Sequence, residues 1–235
     1  MTSIKRALAD LRTRFRNLFK RNEKIDEAKS KWNELARKDA NYYIFTNKRV
    51  SSSEATYRKS GEDDVREHLL NDDLLKDSIR ERPVLLEIGC GNGRLSEFIA
   101  PHVGTLYGVD ISEEMILRAR SRLGHLENCV FRATDGMSFP LEDVSVDIVF
   151  SFITFQHMPS VGVIRKNIED ILRVLRPGGI AKIQLRGVPV DKDKWYYGPS
   201  FFLSGVKDLV RGTSLSVLRQ KGEGERYFWV WLKKA

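Results

Sequence analysis

The sequence predicts an α/β protein: a mostly parallel seven-stranded sheet with helices on both faces, a terminal antiparallel β-hairpin and a helical N-terminal extension. Three observations predict it. Between residues 83 and 185 short apolar runs alternate with segments of helical period. The first run ends in a turn with glycine at every second position, Gly89, Gly91 and Gly93. Residues 215–234 read as two strands around a Gly-Glu-Gly turn, the pattern of a hairpin.

The elements follow in chain order. Ile4, Leu8, Leu11, Phe15 and Leu18 recur at alternating four- and three-residue steps, one apolar stripe of an amphipathic helix. The helical pattern continues through Trp32, Leu35 and Ala36 to the pair Tyr42 and Tyr43. "VSSSEATYRKSGEDD" (50–64) is polar and reads as a loop. Val65, Leu69, Leu70, Leu74 and Leu75 return to helical spacing. Strands are expected in "PVLLEIG", "TLYGVD", "NCVFRA", "SVDIVFSF" and "IAKIQL". Helices are expected in "RLSEFIAPH", in "SEEMILRARSRL" with Ser112 as N-cap, and in "VIRKNIEDILRVL", which the breaker "RPGG" ends. The expected organisation is a basic helix over 1–24, a helical cap over 25–80 and the main domain over 81–235.

The bulk properties narrow the class. With 41% apolar and 31% charged residues, and no apolar run near the roughly 18 residues of a membrane span, the chain reads as soluble. The N-terminus has no apolar signal core, and Cys90 and Cys129 form neither a CxxC pair nor a metal cluster, so a cytoplasmic location is expected. The net charge of +8 is concentrated: residues 1–24 hold eight Lys/Arg against two Asp/Glu, a net of +6. That segment has three readings: packing on the domain or on a second copy, resting on a membrane surface, or contacting nucleic acid. The remaining body offers no basic groove.

The glycine turn "EIGCGNGR" (87–94) carries most of the functional argument. Its backbone can approach a ligand closely, yet the acid in front, Glu87, repels a phosphate. The dinucleotide pattern G-x-G-x-x-G fails in both frames, ending at Arg94 from Gly89 and at Ser96 from Gly91. The phosphate-loop pattern fails because no lysine follows the turn. A ligand with an amine and an adenosine but no phosphate resolves the conflict. S-adenosylmethionine is such a ligand, and Glu87 favours its positive end.

With these residues in view, the stretch 83–235 resembles the class I S-adenosylmethionine-dependent methyltransferases, and the expected sheet becomes their Rossmann-like one. "LLEIGCGNGRL" looks like the family's acidic, glycine-alternating first motif, so the resemblance places Glu87, Gly89, Cys90, Gly91 and Gly93 at the cofactor. "LYGVDIS" looks like its second strand, with Asp110 on the ribose hydroxyls and Ile111 and Met115 beside it. "ATDGMSFPLEDVSVDIVFSF" resembles the third and fourth strands and implies Asp135, Gly136 and Met137 at the adenine, with Ser151 and Phe152 also at the cofactor. "LRVLRPGG" and the final hairpin complete the ordered set. "WNELARKDANYY" and "FQHMP" with "RYFWVWLKK" look like a bacterial small-molecule subgroup without an assigned substrate.

Methyl transfer from a sulfonium is an in-line displacement, so alignment and exclusion of water are the main demands. If a base is used, the candidate is His157, just after the fourth strand, with Gln156 beside it to orient a substrate; the alternative is that His157 only shapes its loop. Tyr42, Tyr43 and Trp195 are candidate acceptor contacts, from aromatic segments placed to fold over the strand ends. The Asn-Pro-Pro-Tyr motif of amino-group DNA and protein methyltransferases and the Pro-Cys dipeptide of cytosine C5 enzymes are both absent, and no metal is expected. The expected reaction is methyl transfer to an oxygen or nitrogen of a small or medium organic acceptor, leaving S-adenosylhomocysteine. The alternatives are an RNA methyltransferase guided by the basic arm and a non-catalytic S-adenosylmethionine-binding protein. Acceptor and oligomeric state stay open.

Overall fold

A computed structural model describes residues 2–44, 53–190 and 195–235, with side chains from residue 23 onward. The side chains of the apolar stripe at 4–18, the start of the 50–64 segment and residues 191–194 of "DKDKWYY" lie outside the described residues.

Seven strands form one sheet: β1 (Val84–Ile88), β2 (Thr105–Asp110), β3 (Cys129–Ala133), β4 (Val146–Ser151), β5 (Leu175–Leu185), β6 (Leu215–Lys221) and β7 (Phe228–Lys234). Their order is β3-β2-β1-β4-β5-β7-β6. The first five are mutually parallel, and β7 runs antiparallel to both β5 and β6. The order reverses between β1 and β4, the crevice where open parallel sheets bind ligands at their carboxyl ends.

Strand alternation divides the core. Leu86 and Ile88 face one side with Val149, Ile183 and Val230, under the helices Val161–Val174 and Leu203–Val210. Leu85, Leu106, Ile148 and Phe150 face the other side with Trp229 and Trp231, covered by Ile99 and by Val65, Leu69, Leu75 and Ile79. The chain before β1 therefore completes the main core.

Helix Thr2–Ile44 passes the expected boundary at residue 24 and breaks only at Asp39, whose backbone is extended (φ −167°, ψ 90°). Asp39 Oδ1 accepts the N–H of Tyr42 at 3.0 Å and so starts a new turn carrying Tyr42 and Tyr43. The helix docks on Glu113–Leu123: Ala36 and Ala40 pack on Met115, and Lys29 pairs with Glu113 at 2.8 Å. Ser112 caps Glu113–Leu123 as expected, accepting the N–H of Met115 at 3.2 Å, and its hydroxyl donates to Asn33 of the docked helix at 2.8 Å.

Four expectations need correction. Residues 54–65 form helix Glu54–Val65, capped by Ser53, where a polar loop was expected. Its buried positions, Tyr57, Gly61 and Val65, recur every four residues, but a glycine and a polar majority hide that stripe. A Cβ at Gly61 would sit 2.4 Å from the Arg94 carbonyl oxygen, so the glycine serves close packing. The helical spacing over 65–75 resolves into a π-helical turn, Arg66–Leu70, and a short helix, Lys76–Arg80. "RPGG" does end the preceding helix, but β5 begins at Leu175, and the segment is a bulge opposite β4, between the pairs Val146–Leu175 and Ile148–Ile180. Helix Leu203–Val210, which buries Val206, Leu209 and Val210, was not anticipated.

Candidate active site

A cavity of about 980 Å³ opens at the carboxyl ends of the central strands, between the sheet and the N-terminal helix. Its floor is the glycine turn. Gly89 and Gly91 hold left-handed backbone (φ +77° and +54°). A Cβ at Gly89 would lie 2.0 Å from Thr154 Oγ1, and one at Gly91 would lie 2.8 Å from Ile44 Cδ1. Glycine is required at Gly89, and a side chain at Gly91 would strain the left-handed backbone and push Ile44 aside.

Asp110 ends β2 beside this turn. One carboxylate oxygen accepts the N–H of Gly91 at 3.0 Å, and the other accepts the N–H of Ser112 at 2.8 Å. Those bonds fix the carboxylate and leave further lone pairs for ligand hydroxyls. Glu87 is 2% exposed, and the Ser96 hydroxyl donates to it at 2.6 Å. Burial pushes its carboxyl up to about 7, and the nearby Asp110 adds to the rise. A buried acid on the cavity wall answers a ligand cation. A fixed acceptor, a buried acid and a glycine floor fit the hydroxyls, ammonium and close backbone approach of S-adenosylmethionine.

Cys90, Ile111, Met115, Gly136 and Phe152 also line the cavity. Burial and the neighbouring acids raise the Cys90 thiol well above its usual range, which keeps it neutral. Four expected cofactor residues do not border the cavity. Gly93 lies behind the turn, where a Cβ would meet Leu123. Asp135 is exposed, and its carboxylate accepts the N–H groups of Met137 and Ser138 at 2.8 and 2.7 Å, closing its own turn. Met137 follows it in that turn. Ser151 is buried, and its hydroxyl donates to the Ile88 carbonyl at 2.9 Å, bridging β4 to β1.

His157 and Gln156 both line the cavity, on a 3-10 turn after β4. His157 Nδ1 lies 2.6 Å from the Tyr196 carbonyl oxygen, which can only accept, so Nδ1 carries the proton. Its Nε2 then accepts from the Gln156 amide at 3.1 Å. Burial lowers the imidazole to about 4, and the charges of Arg186 and Arg226 add to the fall. The ring is neutral with both nitrogens engaged. The Gln184 amide continues the chain, donating to Gln156 Oε1 at 3.4 Å.

The aromatic segments do cover the strand ends. Tyr42, Tyr43 and Trp195 line the cavity with Trp32, Tyr196 and Tyr197. Trp32 meets His157 edge-on at 5.6 Å and Trp195 at 5.5 Å, so the N-terminal helix and the segment after β5 touch across the opening. That segment is pinned: Gly198 N–H donates to the Gln156 carbonyl at 2.8 Å and Phe201 N–H to the Arg186 carbonyl at 2.7 Å. Arg186, Arg226 and Tyr227 line the same half and were not anticipated. The available signal was a charged residue directly after the apolar strand "IAKIQL", at the sheet edge that binds ligands. Among the described residues no group of His, Cys, Asp or Glu is placed to hold a metal, and no helix is long and apolar enough to cross a membrane.

The sheet order, glycine turn and terminal acid of β2 together define a Rossmann-like fold of the kind methyltransferases use. Residues 85–179 match the family model described as a methyltransferase domain. The chain is 36% identical over 99 residues to 27-O-demethylrifamycin SV methyltransferase of Amycolatopsis mediterranei, covering 40% of this chain and 35% of that protein. It is 31% identical over 133 residues to phosphoethanolamine N-methyltransferase 2 of Caenorhabditis elegans, covering 53% of this chain and 30% of that one. The chain thus spans about a third of the length of these curated relatives. In fold it is similar to Haemonchus contortus phosphoethanolamine N-methyltransferase 1, solved with phosphoethanolamine and S-adenosylhomocysteine (TM-score 0.65, 18% identity, 90% of this chain and 49% of that one). It is also similar to a protein of Pyrococcus horikoshii (TM-score 0.62, 18% identity, 83% and 98%).

Proposed function

We propose that the chain transfers a methyl group from S-adenosylmethionine to an oxygen or nitrogen atom of a small or medium organic acceptor. One observation carries the reading: a single cavity joins the glycine turn and Asp110 to an aromatic chamber under the N-terminal helix. When bound, the cofactor supplies an electrophilic methyl group on a sulfonium. In this reading Asp110 accepts from the ribose hydroxyls, Glu87 pairs with the ammonium, and the backbone of 89–91 lies under the amino-acid portion. Ile111, Met115, Gly136 and Phe152 flank the adenosine. The contact of Trp32 with Trp195 keeps water from the reacting centre, and Tyr42, Tyr43 and Trp195 hold the acceptor against it.

His157 is assigned a positioning role. A neutral imidazole whose free lone pair already accepts from Gln156 is a poor proton acceptor at neutral pH. It ties Tyr196 to the 3-10 turn and so sets the wall of the chamber. The acceptors named for the relatives range from a rifamycin to phosphoethanolamine. The acceptor therefore has to come from the chamber itself.

A thermal-shift series tests the cofactor half. S-adenosylhomocysteine at about 100 times its dissociation constant adds about 2.7 kcal/mol, which for this chain length is roughly 5 to 10 °C. The shift is expected with S-adenosylmethionine and S-adenosylhomocysteine, not with NAD or ATP, and is expected to vanish in Asp110→Ala. A shift with NAD alone, or an unchanged shift in the variant, refutes the site assignment. A screen of acceptors with labelled methyl donor tests the transfer.

A further inference from the structure

We infer that the aromatic half of the cavity seats an anionic group of the acceptor, a carboxylate or a phosphate, on Arg186 and Arg226. The inference rests on the methyltransferase reading for the word acceptor. The anion site itself rests on the side chains.

Arg186 follows the last residue of β5 and is 4% exposed. It lines the cavity, and its Nε is buried without a hydrogen-bond partner. Its guanidinium lies 4.7 Å from the ring centre of Tyr197. Among the described residues it forms no ion pair with a carboxylate. Arg226, in the turn before β7, lines the same space with its guanidinium 5.4 Å from the ring of Tyr227. The two cations repel each other, and burial with that repulsion lowers the guanidinium of Arg186.

Among the described residues the other buried cations have a carboxylate: Lys182 has Asp72 at 2.6 Å, and Arg94 has Asp64 at 2.7 Å. Arg186 departs from that pattern, and arginine does not escape by losing its proton. A buried charge without a counter-charge is costly to fold. It is retained where a ligand completes it, and the planar fork of a guanidinium matches a carboxylate or a phosphate. The cavity's own acids, Glu87 and Asp110, are at the glycine turn, each already accepting hydrogen bonds. The two arginines instead act on His157, whose imidazole both depress. The cavity is thus polar in two halves: at the cofactor turn Glu87 and Asp110 face it beside Arg94, which Asp64 pairs, and in the acceptor chamber it is basic. An anion on the basic half would hold the rest of the acceptor against the aromatic wall.

The rival assignment is that Arg186 holds the carboxylate of the cofactor. Calorimetric titration separates the two. Inorganic phosphate and, separately, benzoate are titrated into wild type, Arg186→Met, Arg186→Lys and Arg226→Met at constant ionic strength, each saturated with S-adenosylhomocysteine. The affinity of S-adenosylhomocysteine itself is measured on all four. The expected result is saturable binding of one anion to wild type, weakened at least about tenfold by Arg186→Met and less by Arg186→Lys. The S-adenosylhomocysteine affinity is expected to stay within about twofold, because in this inference Arg186 does not touch the cofactor. Which anion binds decides between the two headgroups.

The unliganded melting temperature of Arg186→Met is expected to hold or rise, because an uncompensated buried charge is removed. If it falls, Arg186→Lys and Arg226→Met carry the comparison. Binding of neither anion to the cofactor-saturated wild type overturns the inference. So does an Arg186→Met variant that loses the cofactor product while keeping the anion. Anion binding through Arg186 in a protein that does not bind S-adenosylhomocysteine sinks the methyltransferase reading and leaves the anion site standing.

Discussion

Glu87 lies on β1, 2% exposed, with one hydroxyl donor, and burial raises its carboxyl from 4.5 to about 7. The sign of its effect on stability follows. A folded-state value above the unfolded one means that the folded protein holds the proton longer. The cost is absent below pH 4.5, grows as pH rises through that window, and is complete above about 7. It amounts to about 3 kcal/mol by the usual conversion of pKa units. Glu87→Gln keeps an acceptor for Ser96 and removes the charge. The unliganded variant should therefore be more stable than wild type at pH 8 by about 2 to 3 kcal/mol and equal to it near pH 4; denaturant titrations at both values check this. Binding a cation should reverse the preference. Affinity for S-adenosylhomocysteine should rise in wild type between pH 6 and 8 and be weak and pH-independent in the variant. A residue that weakens the empty protein and strengthens the occupied one is the signature of a binding site. Asp110 differs, because two backbone N–H groups already hold it in place. Asp110→Ala should lose about 3 kcal/mol of cofactor affinity, roughly a hundredfold.

The elements that close the site are the N-terminal helix and the segment 195–201, which meet through Trp32 and Trp195. Trp32→Ala removes both edge contacts of that ring, each about 0.5–1.5 kcal/mol beyond simple burial. Acceptor turnover is expected to fall at least about tenfold in kcat/KM, with S-adenosylhomocysteine affinity nearly unchanged. An equal loss of both would mean that the helix serves the cofactor instead. Gly198→Ala tests the other half, since a Cβ there would lie 2.4 Å from the Met158 carbonyl oxygen and push the segment off the turn. Legibility in the sequence follows the same elements. The strands were readable because each is an apolar run bounded by breakers, and the glycine turn was readable because its spacing excludes the phosphate patterns. Ser112 was readable as a cap because capping is a local interaction. Helix Glu54–Val65 was hidden because only Tyr57, Gly61 and Val65 face inward. The turn that Asp135 closes on itself was not readable, because a motif position does not say which way a carboxylate turns. Arg186 and Arg226 were missed because the residues that surround them come from β5, from the turn before β7 and from 195–201, and no local pattern joins those three.

For the molecule as a whole, the question is whether the chain before β1 is an appended cap or part of one cooperative unit. The core argues for one unit, since Val65, Leu69, Leu75 and Ile79 cover the same sheet face as Leu85, Leu106 and Ile148. A buried ion pair crosses that junction. Lys182 of β5 and Asp72 of the turn after the π-helical segment are 2.6 Å apart, with side chains 5% and 3% exposed. Trp231 Nε1 of β7 donates to the same Asp72 oxygen at 2.9 Å, and the rings of Trp229 and Trp231 lie 4.8 and 4.7 Å from the ammonium. Removing one partner of such a pair leaves the other charged and buried, at a cost of about 3–5 kcal/mol, whereas neutralising both costs far less. Lys182→Met should therefore destabilise by about that amount, and Lys182→Met with Asp72→Asn should recover more than half of it, because Asn keeps an acceptor for Trp231. Urea unfolding followed by tryptophan fluorescence and by far-ultraviolet circular dichroism checks both the energies and the coupling. If cap and sheet are one unit, the two probes give a single coincident transition in wild type and in both variants, shifted in midpoint with little change in slope. If the cap is separate, Lys182→Met splits the curve, and only the tryptophan signal of the sheet retains the original midpoint.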